Sequence, residues 1–404
     1  MSKQLLSVLA GIIFTAVFFA ACDKKSSSDL PLTPSYNASV YIGGDNHILY
    51  ALDPSTGLKN WEFGTSAPFY ASPLIYNERI YVGADGATYG DTLYKLDAQT
   101  GKKLAKFCMP SNPFYIVATP AADGKFIYLA CTNNTLYCLD TANLAQQWTI
   151  STSGPILSSP VVHNGYVYFG CNDGKIYSID KTLGPTATTN WSWDPVSAGV
   201  STTGELWTSS PAIGIDSNTG NDIITALCIG GAHKMYCLQL NEAAHTVVCR
   251  WTYNTGGAVT SSPAIYGGAC VFGCADFNVY CVDIYDGSFL RWKYQTNSSV
   301  TSSPYVYKNI VYVGSNDYNL YALNFSSGSF KWLFSTAGMI KSSPIVYGPN
   351  VYFGSYDKFF YAVDTATGQK KWTFQMNSNV EASPAVDNNT GGFGVNSSIS
   401  GMHN

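Results

Sequence analysis

The sequence predicts an all-β fold, an eight-bladed β-propeller whose blades are four-stranded antiparallel sheets. One observation is internal repetition, because a phrase of the LYALD type recurs at intervals of 40 to 59 residues, close to the usual length of a propeller blade. Another is composition: charged residues are only 12% of the chain, which has 29 Tyr and 37 Gly, as in β-rich proteins with many tight turns. The repeated tyrosines are Tyr50, Tyr94, Tyr137, Tyr177, Tyr236, Tyr280, Tyr321 and Tyr361.

A third observation is a repeat unit that is divided between the two ends of the chain. The first unit begins with its second strand at Ser39–Gly43, and the chain ends soon after an isolated first strand at Ser383–Val386. A ring in which this C-terminal strand completes the N-terminal blade accounts for both ends and removes the free sheet edge of an open array. We therefore predict a closed ring, because a linear solenoid would leave the divided unit unexplained.

Each repeat contains four short strand patterns, A to D in chain order. Strand A has the form SPAI, as at Ser262–Ile265, and strand B the form VYVGS, as at Val311–Ser315. Strand C has the form LYALN (Leu320–Asn324), and strand D contains KWLF (Lys331–Phe334). A hairpin signal such as NDYN separates B from C, and the turn DxxTG, as in Asp364–Gly368, separates C from D. Glycine supplies the positive φ of that turn, and the aspartate can accept from its backbone N–H groups.

The N-terminus predicts export. An apolar run from Leu5 to Ala21 is short for a membrane-spanning helix and is followed by no stop-transfer segment, as in a signal peptide. The small residues before Cys22 resemble a bacterial lipobox, which implies cleavage before Cys22 and lipidation of its thiol; ordinary secretory cleavage is the alternative. The predicted organisation is a signal peptide at 1–21, a lipidated cysteine and polar tether at 22–35, the propeller at 36–390 and a flexible tail at 391–404.

A second motif inside the repeat, AxDxxTGxxxW, resembles the tryptophan-docking motif of the PQQ-type, or quinoprotein-like, β-propellers. It is complete in blade eight, from Ala362 to Trp372, whereas blade two has Ala105 at the tryptophan position and blade three has Leu144 at the glycine position. The resemblance covers about residues 36–390 and implies that the tryptophans pack between neighbouring blades. The candidate blade-docking residues are Trp61, Trp148, Trp251, Trp292, Trp332 and Trp372.

An exported lipoprotein with eight such blades resembles the BamB family, the periplasmic scaffold lipoproteins of the outer-membrane protein assembly machinery. The resemblance implies a non-catalytic, lipid-anchored scaffold of the bacterial cell envelope, facing the periplasm, with envelope proteins such as outer-membrane assembly components as partners. The alternative is a PQQ- and calcium-dependent quinoprotein oxidoreductase, or a degenerate relative that binds a ligand, because one fold carries several functions. A formal net charge of −4 without a basic patch predicts no nucleic-acid partner.

In this family, the residues that reach the propeller axis come largely from the start of strand A and the loop before it. The position two residues before the Ser-Pro serine therefore predicts a channel ring of Tyr70, Val117, Leu157, Thr208, Thr260, Thr301, Lys341 and Glu381. A calcium ion binds several carboxylate or carbonyl oxygens, but only Glu381 supplies a carboxylate here, and Lys341 can neutralise it. We therefore predict neither PQQ nor calcium, and keep Tyr70, Thr260, Thr301, Lys341 and Glu381 as candidate axial-channel residues.

Other signatures of enzymes are missing from the sequence. No two cysteines are adjacent, no CxxCH haem motif occurs, and the five histidines fall in turns, loops or the tail without the spacing of metal ligands. The segment DSNTGND (Asp216–Asp222) lacks the spacing of an EF-hand loop, so we interpret it as a hairpin tip. No catalytic or metal-binding residue is predicted.

Eleven cysteines would normally suggest disulfides in an exported chain. Most of them occupy two slots of the repeat that require a small side chain, and free cysteine behaves as a small hydrophobe. Cys131 and Cys138 lie diagonally and Cys270 and Cys274 lie on one strand, so neither pair predicts a bridge. We expect most cysteines to be reduced and buried. Those in the two small slots are Cys131, Cys138, Cys171, Cys237, Cys274 and Cys281.

The segment Gly184–Trp207 is the longest departure from the repeat. Loops on a rigid scaffold often carry binding residues, and this one contains Trp191, Trp193 and Trp207. These tryptophans are the candidate partner-contact residues. The alternative is a local connection between strands D and A that buries its own aromatic side chains.

Overall fold

The computed structural model describes residues 38–86, 91–109, 115–182, 189–202, 204–216, 224–241 and 244–387. All lie in the compact unit Tyr36–Asn404. Thirty-two β-strands make up the regular structure of these ranges, and no helix among them is long and apolar enough to cross a membrane. The predicted signal peptide, Cys22, the tether 22–35 and the tail 391–404 lie outside the described residues, as does most of the Asp216–Asp222 segment.

The strands form eight four-stranded antiparallel sheets, which confirms the predicted fold class. Blades one to four contain the strands β1 (Val40–Gly43), β2 (Ile48–Leu52), β3 (Lys59–Gly64); β4 (Leu74–Tyr76), β5 (Arg79–Ala84), β6 (Thr92–Asp97), β7 (Lys103–Cys108); β8 (Ala121–Asp123), β9 (Phe126–Cys131), β10 (Thr135–Asp140), β11 (Gln146–Ser151); β12 (Val161–His163), β13 (Tyr166–Gly170), β14 (Ile176–Asp180), β15 (Thr189–Trp193).

Blades five to eight repeat the same order, and one further strand follows them. These strands are β16 (Ala212–Asp216), β17 (Ile224–Gly230), β18 (Lys234–Asn241), β19 (Thr246–Asn254); β20 (Ala264–Tyr266), β21 (Ala269–Gly273), β22 (Asn278–Asp283), β23 (Leu290–Gln295); β24 (Tyr305–Tyr307), β25 (Ile310–Gly314), β26 (Asn319–Asn324), β27 (Phe330–Ser335); β28 (Ile345–Tyr347), β29 (Asn350–Gly354), β30 (Phe359–Asp364), β31 (Lys370–Gln375); and β32 (Ala385–Val386).

The C-terminal strand β32 closes the ring. It pairs with β1, with Val40 opposite Val386 and Tyr41 opposite Ala385, so that blade one has the strand order β3-β2-β1-β32. Both Val40 and Val386 are buried in the core between blades eight and one. The predicted closure is therefore confirmed, and the first blade joins the two ends of the described chain.

A belt of serine hydroxyls also joins the blades, at the start of strand A. In each step a backbone N–H donates to the Ser Oγ of the next blade at 2.9 Å, and the step from Ser383 to Ser72 crosses from the C-terminal to the N-terminal part of the chain. This belt explains why the repeat has serine before its proline. The other donors and acceptors are Thr119 to Ser159, Ser159 to Ser210, Ser210 to Ser262, Ser262 to Ser303, Ser303 to Ser343 and Ser343 to Ser383.

Five of the six candidate docking tryptophans pack on the C–D turn of the following blade; the turn that would receive Trp148 lies partly outside the described residues. Trp332 lies against Gly368, where a Cβ atom would come within 2.7 Å of its ring, and its Nε1 donates to the carbonyl of Thr365 at 3.1 Å. Gly368 has a φ of 73°, so the turn requires glycine both for its backbone and for the tryptophan above it. The equivalent indole bonds join Trp61 to Ala98, Trp251 to Ile284, Trp292 to Phe325 and Trp372 to Pro54.

The seam between blades two and three is built differently. Ala105 takes the tryptophan position and pairs with Lys95, whose Nζ donates to the carbonyls of Thr141 at 2.7 Å and Ala142 at 2.9 Å. Without an indole ring above the turn, Leu144 replaces glycine and is buried, although its φ is 60°. Burial lowers the pKa of Lys95. A lysine and a leucine thus take over the hydrogen bond and the volume of the missing tryptophan.

Candidate functional site at the channel mouth

One end of the ring carries the B–C hairpins and the loops between strands D and A. We call it the mouth face. The backbone joins these two sets of loops, since the N–H of Asp85 donates to the carbonyl of Pro68 and the N–H of Tyr356 to the carbonyl of Met339. Residues at the start of strand A and residues just after strand B therefore face the channel at the same level.

The structure brings four of the five candidate axial-channel residues together. Thr260, Thr301, Lys341 and Glu381 line one open pocket of about 290 Å³. Tyr70, the fifth candidate, is 37% exposed, and burial, followed by the charges of Asp45, Asp85 and Glu381, raises the pKa of its hydroxyl. The four pocket residues precede strand A of blades six, seven, eight and one, so the repeat frame places them side by side at the channel mouth.

Glu381 is engaged by two neighbouring side chains. Tyr356 donates its hydroxyl to Glu381 Oε2 at 2.6 Å, and Lys341 Nζ lies 3.7 Å from Glu381 Oε1. The same Nζ lies 4.7 Å from the centre of the Tyr356 ring, a cation–π distance. Burial and the bond to Glu381 raise the pKa of Tyr356. The arrangement holds a carboxylate, an ammonium group and a neutral phenol in one cluster.

Sequence reasoning missed a second ring of residues at this face. They occupy the position immediately after the small slot that ends strand B, which places Tyr356 beside Glu381 and Asn316 within 3.4 Å of the Thr301 hydroxyl. The same position holds Asp45 and Asp85 in blades one and two. A comparison of this slot across the repeats could have found them, because its size and charge vary from blade to blade while the slot before it is always small. The other members are Thr132, Asn172, Ala232 and Ala275.

Blade two places two carboxyl groups together near the mouth. Asp85 is 8% exposed and Asp91 is 1% exposed, and the backbone N–H of Gly86 donates to Asp91 Oδ1 at 3.0 Å. Burial, followed by the charge of Asp91, raises the pKa of Asp85 to about 6. Like charges at short range cannot both ionise without cost, so the pair shares one proton below that pH.

Replacing Asp85 by asparagine should stabilise the protein at neutral pH. Folding raises the pKa of Asp85. The contribution of this carboxyl group to the free energy of unfolding is therefore complete below about pH 4 and is lost as the pH rises through about 6. The free energy of unfolding of Asp85→Asn, taken relative to that of wild type, should therefore be about 1–3 kcal/mol higher at pH 7.5 than at pH 4.5. Urea denaturation at both pH values measures it.

The exposed Asp286, whose hydrogen bonds to Ser288 lower its pKa, provides the control. Asp286→Asn should show no such gain at neutral pH. A difference between Asp85→Asn and wild type that is the same at both pH values would contradict the shared-proton interpretation.

The described residues do not fit a calcium-bound quinone. None of their His, Cys, Asp and Glu side chains form a group of three or more that could hold a metal ion. The one carboxylate of the axial ring already binds Tyr356 and Lys341, and an ammonium group so close opposes a second cation. We therefore derive no chemistry through PQQ or calcium.

The three tryptophans proposed for partner contact lie in the blade structure. Trp191 is opposite Ser178 in the strand register, which is the position that docking tryptophans occupy in other blades. Trp193 lies two residues further along β15. Trp193 and Trp207 are buried in the core of blades four and five. This placement favours the alternative interpretation, in which the segment buries its own aromatic side chains. Its exposed apolar residues are Val196 and Leu206 instead.

The mouth face carries several exposed large apolar side chains. Phe277 and Tyr318 lie at the tips of adjacent B–C hairpins, 43% and 49% exposed, with φ angles of 74° and 75°. A bulky residue at positive φ is unfavourable, and such strain is concentrated at functional sites. The equivalent tip residues of other blades are His47, Asn134, Gly174 and Lys358, so the hairpin requires this conformation and only blades six and seven of these place a Phe or Tyr ring on it. The remaining exposed apolar residues of this face are Tyr70, Tyr115, Val117, Val196 and Leu206.

The ring of blades and its docking tryptophans define an eight-bladed β-propeller of the PQQ-repeat class. The family model described as outer membrane protein assembly factor BamB matches residues 20–106, 92–303 and 291–394. The chain therefore belongs to this family.

Solved structures of the same fold include a BamB protein, a dehydrogenase and a designed protein. BamB from Moraxella catarrhalis is 15% identical with a TM-score of 0.61, over 84% of this chain and 92% of that one. A europium-containing methanol dehydrogenase is 13% identical with a TM-score of 0.63, over 80% and 81%. The computationally designed protein Ika8 is 17% identical with a TM-score of 0.63, over 79% and 91%. These likenesses show the fold alone.

A curated relative matches a shorter stretch. The beta-alanine-activating enzyme of Danio rerio is 27% identical over 113 residues, which are 27% of this chain. The match spans about 10% of that enzyme's length. So short a match carries no argument about activity.

Proposed function

We propose that this protein is a non-catalytic, lipid-anchored scaffold of the bacterial cell envelope that binds other envelope proteins through its mouth face. Lipidation of Cys22 would hold it at a membrane, and the polar segment 22–35 would act as the tether. Membership of the BamB family supports a role in outer-membrane protein assembly, with a component of that machinery as the partner. The propeller faces the periplasm in this proposal.

The exposed tips of two B–C hairpins are the main support for this proposal. Phe277 and Tyr318 present two aromatic rings on neighbouring blades of a rigid ring, in a backbone conformation that costs free energy without contributing to the core. Aromatic side chains are enriched at the energetic centres of protein interfaces. Tyr70 and Tyr115 add further exposed rings at the same face.

The second candidate is a quinoprotein oxidoreductase or a ligand-binding descendant of one. It is favoured by the pocket beside Glu381 and by the fold shared with methanol dehydrogenase. The contacts of Glu381 with Tyr356 and Lys341 speak against a cation there, so we rank this candidate second.

Site-specific photo-crosslinking in intact cells of the native host tests the scaffold proposal. A benzophenone amino acid at position 277 or 318 should give adducts that contain an outer-membrane assembly component. The same group at Phe330, which is 50% exposed on the outer strand β27, is the matched control and should give none. Adducts of equal yield from Phe330, or none from either tip, would reject the mouth face as the binding surface.

The non-catalytic part of the proposal has a separate test. Purified protein incubated with PQQ and calcium should show no bound-quinone absorbance and no dye-linked oxidation of alcohols or sugars. Turnover that is lost in Glu381→Gln would establish the oxidoreductase candidate in its place.

A further inference from the structure

Three cysteines lie together at the seam between blades five and six. Cys228 in β17, Cys237 in β18 and Cys270 in β21 are each fully buried. Cys228 is directly opposite Cys237 in the antiparallel register, and both belong with Cys270 to one buried cluster of core side chains. All three are reduced in this structure.

The repeat accounts for Cys237 but does not account for Cys228. Cys237 occupies the small slot that faces a docking tryptophan, here Trp251, and alanine fills the same slot in three other blades. Cys228 occupies the slot opposite, where six blades have tyrosine. A cysteine in this slot has neither the ring nor the hydroxyl of tyrosine. In four blades that tyrosine hydroxyl donates to a backbone carbonyl of the next blade. The six tyrosines are Tyr41, Tyr81, Tyr128, Tyr168, Tyr312 and Tyr352.

We propose that Cys228 and Cys237 are a disulfide-forming pair, a covalent modification site within the hairpin of blade five. Directly opposite residues of antiparallel strands have Cα atoms about 4.5–5.5 Å apart, inside the range of about 4.4–6.8 Å that a disulfide spans. The two strands follow each other in sequence and are joined by a short turn at Gly231–Lys234, so the pair can meet before the rest of the blade forms.

The oxidant is a small-molecule disulfide such as oxidised glutathione. A thiolate of the pair attacks it and releases one small thiol, and the second cysteine then displaces the other small thiol as the sulfur–sulfur bond of the protein forms. Two cysteine thiols are oxidised and one disulfide is reduced to two thiols. Burial raises the pKa of Cys237 well above its usual value, so the folded blade holds little thiolate. Oxidation therefore takes place while the hairpin is still open, during folding.

Oxidative refolding of the full chain tests this inference. Protein denatured and reduced, then refolded in a buffer of oxidised and reduced glutathione, should contain a bond between Cys228 and Cys237. Lys234 lies between the two cysteines, so trypsin separates them and mass spectrometry detects the linked peptides after alkylation. A parallel sample refolded with dithiothreitol should contain none.

The chain offers matched controls in the same slot. Cys138 is opposite Tyr128 and Cys281 is opposite Val271, so Cys138→Ala and Cys281→Ala should leave the linked peptides unchanged. Cys237→Ala recreates the alanine of other blades, so we expect it to fold and to lose the link completely.

Three results would overturn the inference. They are full alkylation of all cysteines after oxidative refolding, a link from Cys228 to Cys270, and linked peptides that persist in Cys237→Ala through Cys249. The chemistry depends only on the presence of an oxidising disulfide, so it can fail or succeed independently of what the mouth face binds.

Discussion

A chain that ends at Asn377 is expected to lose most of its stability. This truncation removes β32 and the buried side chains of Val380, Ala382 and Val386 from the core between blades eight and one. It also removes Ser383, whose N–H closes the serine belt on Ser72. Burial of each valine contributes about 1.5–3 kcal/mol, and the exposed edge of β1 adds to the loss. A total of about 5 kcal/mol or more is comparable to the whole stability of many domains.

Thermal and urea denaturation, followed by tryptophan fluorescence, measure this effect. The control is a chain that ends at Asp387, which keeps β32 and the bond from the Asp387 N–H to the carbonyl of Ser39. That chain should unfold like the full-length protein. Equal midpoints for the two truncated chains would mean that the ring does not depend on its last strand.

Trp332→Ala is expected to cost about 3–5 kcal/mol, the usual range for removing a large aromatic side chain from a core. The substitution empties the seam between blades seven and eight, because the ring packs against Gly368 and Tyr312. It also removes the only indole bond to the carbonyl of Thr365, although Tyr312 still donates to that oxygen at 3.3 Å. The free energy of unfolding in urea measures the loss.

Phe330→Ala is the matched control for the tryptophan substitution. Phe330 lies two residues earlier on β27 and is 50% exposed, so its removal should change the free energy of unfolding by less than about 1 kcal/mol. A similar cost for the two substitutions would show that the tryptophan seams are not what joins the blades.

The repeat predicted the structure well at positions where the side chain makes the same contact in every blade. The positions of Trp332, Gly368 and the Ser-Pro serines recur because each contacts an equivalent atom of the next blade. The axial ring was placed by the same logic, and Thr301 and Glu381 do line one pocket. Period and register together carry this information, since strand side chains alternate strictly between faces.

The sequence did not predict the role of a side chain where that role depends on which residue faces it in a neighbouring blade. Lys95 occupies the slot that is small in other blades, and its ammonium replaces the indole N–H that Ala105 cannot supply. Trp207 was a candidate for partner contact, but it fills the buried position beside Gly170 that valine or isoleucine holds in most other blades and Phe69 holds in blade one. Tyr356 gained its meaning only beside Glu381.

The sequence by itself determined the number of blades, the strand order and the closure of the ring, because these follow from the period of the repeat and from how one unit is split. Only the tertiary structure decided which side chains meet across a seam. It placed Cys228 opposite Cys237 and in one core cluster with Cys270, paired Asp85 with Asp91, and left Phe277 and Tyr318 exposed at hairpin tips with positive φ. The physical reason is that a repeat fixes local backbone geometry, whereas contacts between blades depend on the volume and polarity of two slots at once.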